Sequence, residues 1–386
     1  MSKTFAEYAE MEFIPKVDAF SRKYLRTDIV FDTYQASSLK SETRSKRGQG
    51  ARRRVTGTGK LPRNWRNFLR HSANKTELFA YLAEKVVEHH SENRIIVTRG
   101  RDALSNHPEF SLSGISPCNH EEADTRVFLH AKDAVKGGFK TVMISANDTD
   151  VLVIAVATFS QLQELGLQEL WLAFGQGWNL KWIPVHELTS SLSPERSSSM
   201  LFFHAFTGCD TVSAFRGHGK KSAWQTWDVC PEASDVFTKL SCYPADVEED
   251  DTVMLEKFVV TMYDRSSSTK AVDDARLELF ARKQRSYQAI PPTRAALVQH
   301  IRRAAYQAAC IWSQALVCQP EEESPAEWGW KQEEDCWSIL WSALPPVAQS
   351  CQQLTKCQCK TQCHGRCRCY KFGLGCTAMC SCSCSE

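Results

Sequence analysis

Apolar positions recur along this chain with two distinct periods. Between Asn74 and His90, Leu78, Tyr81, Leu82, Val86 and Val87 return every three or four residues, which predicts a helix with one buried face. The run Arg94 to Thr98 (RIIVT) is short and rich in branched side chains, and predicts a buried strand. Residues 119–228 hold the most regular alternation. Asn119 is placed to cap a helix from Glu121 to Lys136, and Gly137-Gly138 to end it. TVMIS (141–145) then predicts a strand ending at Asn147-Asp148-Thr149-Asp150, and after a further helix LWLAF (170–174) predicts another. That order predicts a parallel α/β sheet with helices on its faces, a class in which function collects at the carboxyl ends of the strands. Asp32, after the strand Asp28 to Phe31, and Asp148 and Asp150 stand at such ends.

Elsewhere the pattern is less regular. Residues 1–27 predict one or two helices. The Gly-, Arg- and Ser-rich stretch SKRGQGARRRVTGTGK predicts a mobile arm. Residues 245–271, acidic and Ser-rich, predict a linker, residues 272–317 helices, and residues 319–334 an acidic segment bearing Trp.

With 42% hydrophobic and 24% charged residues in 386, the chain is long enough to bury a proper core. The longest apolar stretch, Val151 to Ala157, is too short to span a bilayer, and the acidic N-terminus is unlike a signal peptide. We therefore expect a soluble, intracellular protein. The net charge of +2 hides an uneven distribution, with eleven Lys or Arg against Glu42 alone from Lys40 to Arg70. Such a stretch is a footprint for phosphates; Lys46-Arg47 with Arg52-Arg53-Arg54 also fits a nuclear-import signal or a solvated loop.

Acids at separate chain positions suit magnesium, which prefers hard oxygen ligands, and two-metal phosphodiester hydrolysis needs several of them. Glu122 and Asp124 lie in HEEADTR, Asp148 and Asp150 in SANDTD, and Asp210 in FTGCDT. Each context also has an ordinary reading, since Asn119-x-x-Glu122 fits a capping box and acids are common turn formers.

Gly208 to Trp227 (GCDTVSAFRGHGKKSAWQTW) resembles the flap-endonuclease (XPG-type, PIN-like) segment in which a Gly-Cys-Asp metal ligand leads into a helix-turn-helix. Glu122-Ala123-Asp124 is similar to the family's acidic pair at a helix start, and Asp148-Thr149-Asp150 to its strand-end pair. VFDTYQASSLKSETRSKR resembles the strand-ending Val-Phe-Asp and the basic helix after it. The resemblance covers roughly residues 28–228. It implies a metal-dependent nuclease acting on branched or end-containing DNA in the nucleus. Asp32, Lys40 and Arg47 would act at the scissile phosphate. Glu122, Asp124, Asp148, Asp150 and Asp210 would hold two Mg²⁺ or Mn²⁺ ions. Gly217, Gly219, Lys220 and Lys221 would meet the duplex, with K⁺ at the turn. The family also has an earlier strand that supplies another Asp, and no such strand precedes Val30-Phe31-Asp32 here. Activity would then depend on a strand encoded upstream.

Of seventeen cysteines, nine crowd the C-terminus: Cys357, Cys359, Cys363, Cys367, Cys369, Cys376, Cys380, Cys382 and Cys384. Three Zn²⁺ need twelve tetrahedral ligand bonds, which nine thiolates supply when three of them bridge. The pattern resembles the tesmin-type CXC zinc module, which implies nucleic-acid contacts from Arg366, Arg368 and Tyr370. In the family a Tyr stands where this chain has Arg366, and the interval from Cys382 to Cys384 is one residue short. We thus expect a PIN-like domain over 1–244, a linker over 245–271, a helical segment over 272–350 and a zinc module over 351–386. Two other readings remain: a catalytically degenerate nuclease fold that binds or scaffolds, and a chromatin protein driven by the CXC tail.

Overall fold

The computed structural model describes residues 2–34, 38–40, 48, 50–89, 91–281, 286, 289–334, 336–342, 357–360, 363–364, 367–371, 376 and 380–382. The chain is mixed α/β. Helix α1 (Ile14–Ser21) leads into strand β1 (Arg26–Ile29). Helix α2 (Ser72–Glu88) turns Leu78, Leu82, Ala83 and Val86 inward, as its periodicity predicts, and packs on β2 (Arg94–Arg99). β1 pairs with β2 in parallel, and β3 (Asp102–Ser105) closes an antiparallel hairpin with β2.

The second half repeats this arrangement. Helix α3 (Ala123–Lys136) precedes β4 (Thr141–Ala146), and α4 (Thr149–Glu164) connects it to its parallel neighbour β5 (Glu169–Phe174). β6 (Lys181–Pro184) returns antiparallel to β5. Helices follow: α5 (Met200–Phe206), α6 (Lys220–Trp227), α7 (Glu249–Tyr263), α8 (Val272–Ala281) and α9 (Arg294–Ala305). A hairpin of β7 (Trp330–Glu333) and β8 (Cys336–Ile339) comes last before the cysteine tail.

Four expectations change. Among the described residues the strands β1 to β6 form two three-stranded sheets with mixed pairing rather than one parallel sheet, apart from the β7–β8 hairpin. β1 and β4 are edge strands of different sheets, with no backbone hydrogen bond joining them among the described residues. They nonetheless lie beside each other: Tyr24 donates a hydrogen bond to the Met143 sulfur at 3.4 Å. α3 serves both, with Asp133 2.8 Å from Arg26 and His130 2.7 Å from Asp28, while its Phe128 and Val135 share a core with Ile144.

The linker expected over 245–271 is mostly helix α7. The acids that suggested a solvated linker instead cap it: the Glu248 side chain accepts from the third helical backbone N–H and Asp251 accepts from the Glu248 N–H. Acids are favoured at a helix N-terminus, where unpaired N–H groups point outward. Behind them Leu255, Phe258, Val259 and Val260 are buried.

The boundary at residue 244 also dissolves, because one apolar core runs from Phe128 through α5, α7 and α9 to Leu316. Finally, the described part of the expected mobile arm is anchored. The buried Asn74 side chain donates to the Ala51 and Phe68 carbonyls and accepts from Arg53 N, and Glu77 pairs with Arg52 and takes the Val55 N–H. Trp65 and Phe68 pack against Phe5. Among the described residues no helix is long and apolar enough to cross a membrane.

Candidate metal centre and cysteine tail

The carboxyl ends of β1 and β4 and the N-termini of α3 and α4 meet in one place. Thr33 N donates to Glu121 O at 2.7 Å and Ala123 N to Asp32 Oδ1 at 3.0 Å, so the exit of β1 is tied to the entry of α3. Glu122 is the N-cap residue of α3 and Asp124 lies in its first turn. The capping box read at Asn119-x-x-Glu122 does not form. Asn119 turns its amide to the Pro320 carbonyl and Glu322, which leaves the Glu122 carboxylate for the site. Asp148 caps α4 by accepting from Asp150 N at 3.0 Å. Asp210 is exposed on the loop after α5.

Lys40 stands among these acids. Its ammonium lies 2.6 Å from Glu122 Oε1 and 3.8 Å from Asp210 Oδ2. Burial alone would lower the Lys40 ammonium, but Glu122, then Asp210 and Asp124, hold it well above its ordinary value. Burial raises the Glu122 carboxyl even against the pull of Lys40. Asp124 is pushed up to about 7, by burial first and then by Glu122 and Asp148. Asp32 acts on both Glu122 and Asp124 as well. One ammonium does not neutralise five carboxylates, and the oxygen-only donor set is what Mg²⁺ or Mn²⁺ prefers. The set is open. Among the described residues, only cysteines form groups of three or more whose ligand atoms all lie within 4.8 Å of one another. Magnesium keeps several waters, so the donor chemistry fits a hydrated ion held by a few carboxylates.

Asp150 is not brought to this cluster. Two residues beyond the cap, it points into the core and accepts from His204 Nε2 at 2.9 Å. Lys220 faces the same interior. Its ammonium donates to the carbonyls of His204 and Gly208 at 2.7 Å each, and to Thr207 Oγ1, closing the C-terminal end of α5. Burial lowers Lys220 to about 8. The sequence had suggested a phosphate contact for this lysine; the fold gives it three internal acceptors instead. Lys221 is exposed, and Gly217 at φ 79° makes the turn before α6. The residues before this turn form a loop, so the expected helix-turn-helix is a loop, a turn and a helix. Arg47 lies outside the described residues.

A strap from the acidic segment, distant in sequence, also runs past the site. Val317 O accepts from His120, Pro320 O from Asn119, and Tyr243 donates to Glu321 and Glu323. Pro320, Glu321, Glu322 and Glu323 of this strap, with Lys40, Glu122 and Thr211, border a cavity of about 230 Å³ with an acidic wall. Only the acidity of 319–334 was visible beforehand, because a contact spanning some two hundred residues leaves no local pattern.

In the tail, the sulfur of Cys357 lies 3.6 Å from those of Cys363 and Cys382, Cys363 is 3.5 Å from Cys376, and Cys369 is 3.8 Å from Cys380. A disulfide needs about 2.05 Å. Tetrahedral Zn–S bonds of about 2.3 Å put neighbouring sulfurs roughly 3.8 Å apart, which these spacings approach. Three sets of four can hold a metal ion: Cys357, Cys363, Cys376 and Cys382; Cys357, Cys359, Cys363 and Cys367; and Cys357, Cys369, Cys376 and Cys380. Burial, followed by the neighbouring Cys380, pushes the Cys369 thiol up to about 12. Thiols this close ionise together only beside a cation. Tyr370 is exposed, while Arg366, the Arg368 side chain and Cys384 lie outside the described residues.

Compared with family models, curated proteins and solved structures, the chain matches none of them.

Proposed function

We propose that this protein is a metal-dependent phosphodiesterase of the flap-endonuclease type, acting on branched or end-containing nucleic acid, with a zinc-cluster tail. One observation carries the reading. Glu122, Asp124 and Asp210 gather at Lys40 where β1 and β4 end, with Asp32 and Asp148 close enough to act on Asp124, so that acids from four separate stretches of chain meet there. Mg²⁺ or Mn²⁺, when bound, supplies activation of water and neutralisation of the leaving oxygen. Glu122, Asp124, Asp148 and Asp210 would hold the cation, and Asp32 would fix Glu122 and Asp124 through its bond to the start of α3. Lys40, already drawn in by Glu122 and Asp210, would hold the scissile phosphate beside that cation. Lys221 and the Gly217–Gly219 turn offer an exposed surface to a phosphate backbone. The nuclear address and DNA as the polymer belong to the same proposal.

A second reading rests on the open carboxylate set and on Asp150 facing His204. Under it the chain binds nucleic acid without cutting it. Incubating the purified chain with a labelled branched DNA separates the two. Cleavage that requires Mg²⁺ supports the enzyme, and retained binding without cleavage supports the second reading.

A further inference from the structure

Farther along the loop that carries Asp210, Arg216 forms part of the wall of a second cavity, of about 310 Å³. That volume falls at the low end of small-molecule sites, roughly 300–1,000 Å³. Arg276 of α8 and Arg303 of α9 also line it, as do Tyr263 and Trp341, and no carboxylate does among the described residues. This is the opposite of the acidic cavity beside Lys40.

Arg303 is the informative residue. It is 6% exposed, and its one side-chain hydrogen bond among the described residues runs from Nη1 to Gly329 O at 3.1 Å. Burial lowers its guanidinium to about 10, and no acid counters that effect. Arg276 donates to Pro291 O. Burial lowers it too, partly offset by Asp273, whose Oδ1 is already taken by Arg294 N. A buried guanidinium without a counter-charge is costly to keep out of water. A phosphate returns that cost through paired, charge-assisted hydrogen bonds matched to the guanidinium fork. Of the lining residues, Arg216 is exposed and Trp341 is 75% exposed, which offers a flat aromatic surface to another ring.

We propose that this cavity binds a nucleoside monophosphate unit, its phosphate taken by Arg276 and Arg303 and its base stacked on Trp341. A free mononucleotide and the 5′-phosphorylated end of a strand offer the same chemistry. The assignment stands apart from the carboxylate cluster and survives if that cluster proves inert.

The test is calorimetric titration of the full chain, without added Mg²⁺, with adenosine monophosphate, adenosine, inorganic phosphate, and an oligonucleotide with and without a 5′-phosphate. We expect adenosine monophosphate to bind at least tenfold more tightly than adenosine or inorganic phosphate. The oligonucleotide arm separates the sources: a 5′-phosphate-dependent signal assigns the strand end, and its absence beside mononucleotide binding assigns the free nucleotide. Arg276→Met and Arg303→Met should each weaken binding tenfold or more. Arg216→Ala and Trp341→Ala, at exposed positions where folding is not at issue, should weaken it severalfold. Equal affinity for nucleoside and nucleotide overturns the proposal. So does inorganic phosphate binding as tightly as the nucleotide, or affinity unchanged by both exposed-site variants.

Discussion

The Lys40 ammonium lies 2.6 Å from a carboxylate oxygen of Glu122, joining the segment after β1 to the residue that caps α3. Both side chains are largely buried, at 19% and 14% exposed, so the pair is shielded from the screening that weakens surface ion pairs. Lys40→Met would leave Glu122 and its acidic neighbours without this cation. Above pH 7 the variant should lose on the order of 3 kcal/mol of stability, and millimolar Mg²⁺ should restore part of it. Thermal unfolding with and without the cation checks this; a variant as stable as wild type in its absence contradicts it.

Asp124 gives the site a pH dependence with a definite sign. Its carboxyl is raised from an ordinary 3.8 to about 7, so the folded state holds the proton more tightly than the unfolded state. The stability this contributes is present below about pH 4 and is lost as pH rises through about 7. Asp124→Asn should therefore be more stable than wild type at pH 8, by on the order of 1 kcal/mol or roughly 2 °C in Tm, with the gain vanishing at pH 4. Melting curves across this range would show a pH-independent difference if Asp124 were an ordinary surface acid.

Lys220 and Lys221 are neighbours with opposite duties. Lys220 satisfies three oxygens at the end of α5, and Lys221 faces outward. Lys220→Met should cost about 1–3 kcal/mol of stability by leaving those acceptors unpaired. Lys221→Ala should leave stability within about 0.5 kcal/mol while weakening DNA binding and flattening its salt dependence. Denaturant titrations paired with salt-dependent binding curves distinguish them, and the reverse assignment of effects would contradict this view.

These residues show what was legible in the sequence and what was not. α2, α3, α4, β2, β4 and β5 lie close to where the local pattern puts them, although the Asn119 cap expected for α3 does not form. α7 was missed because Glu248 to Asp251 resembled a solvated run, although Glu248-x-x-Asp251 is itself a capping signal. Asp150 and Lys220 carried motif positions that say nothing about direction. Whether a side chain points to the cluster or to His204 depends on how α4 and α5 pack. The strap at 317–323 and the arginine cavity are assembled from distant segments, which no local pattern reveals. The cysteine tail was the most legible part, since ligand spacing is itself local.

That tail should hold about three Zn²⁺ per chain. Because its buried cluster is made of cysteines, removing the metal with a chelator should unfold it, with the thiols becoming reactive together. Native mass spectrometry and thiol labelling measure this. One zinc or none, or disulfides within 357–382, would contradict it.

The most direct measurement for the central claim is Mn²⁺ binding to the full chain, followed by electron paramagnetic resonance at pH 6 and pH 8. If Asp124, Asp148 and Asp210 serve one cation centre, wild type binds Mn²⁺ more tightly at pH 8, because the Asp124 proton must leave first. Asp148→Ala and Asp210→Ala each weaken binding tenfold or more, while Asp150→Asn changes it little. Mn²⁺ affinity that ignores pH and survives the combined replacement of Asp148 and Asp210 would show that the carboxylates around Lys40 are not a metal centre.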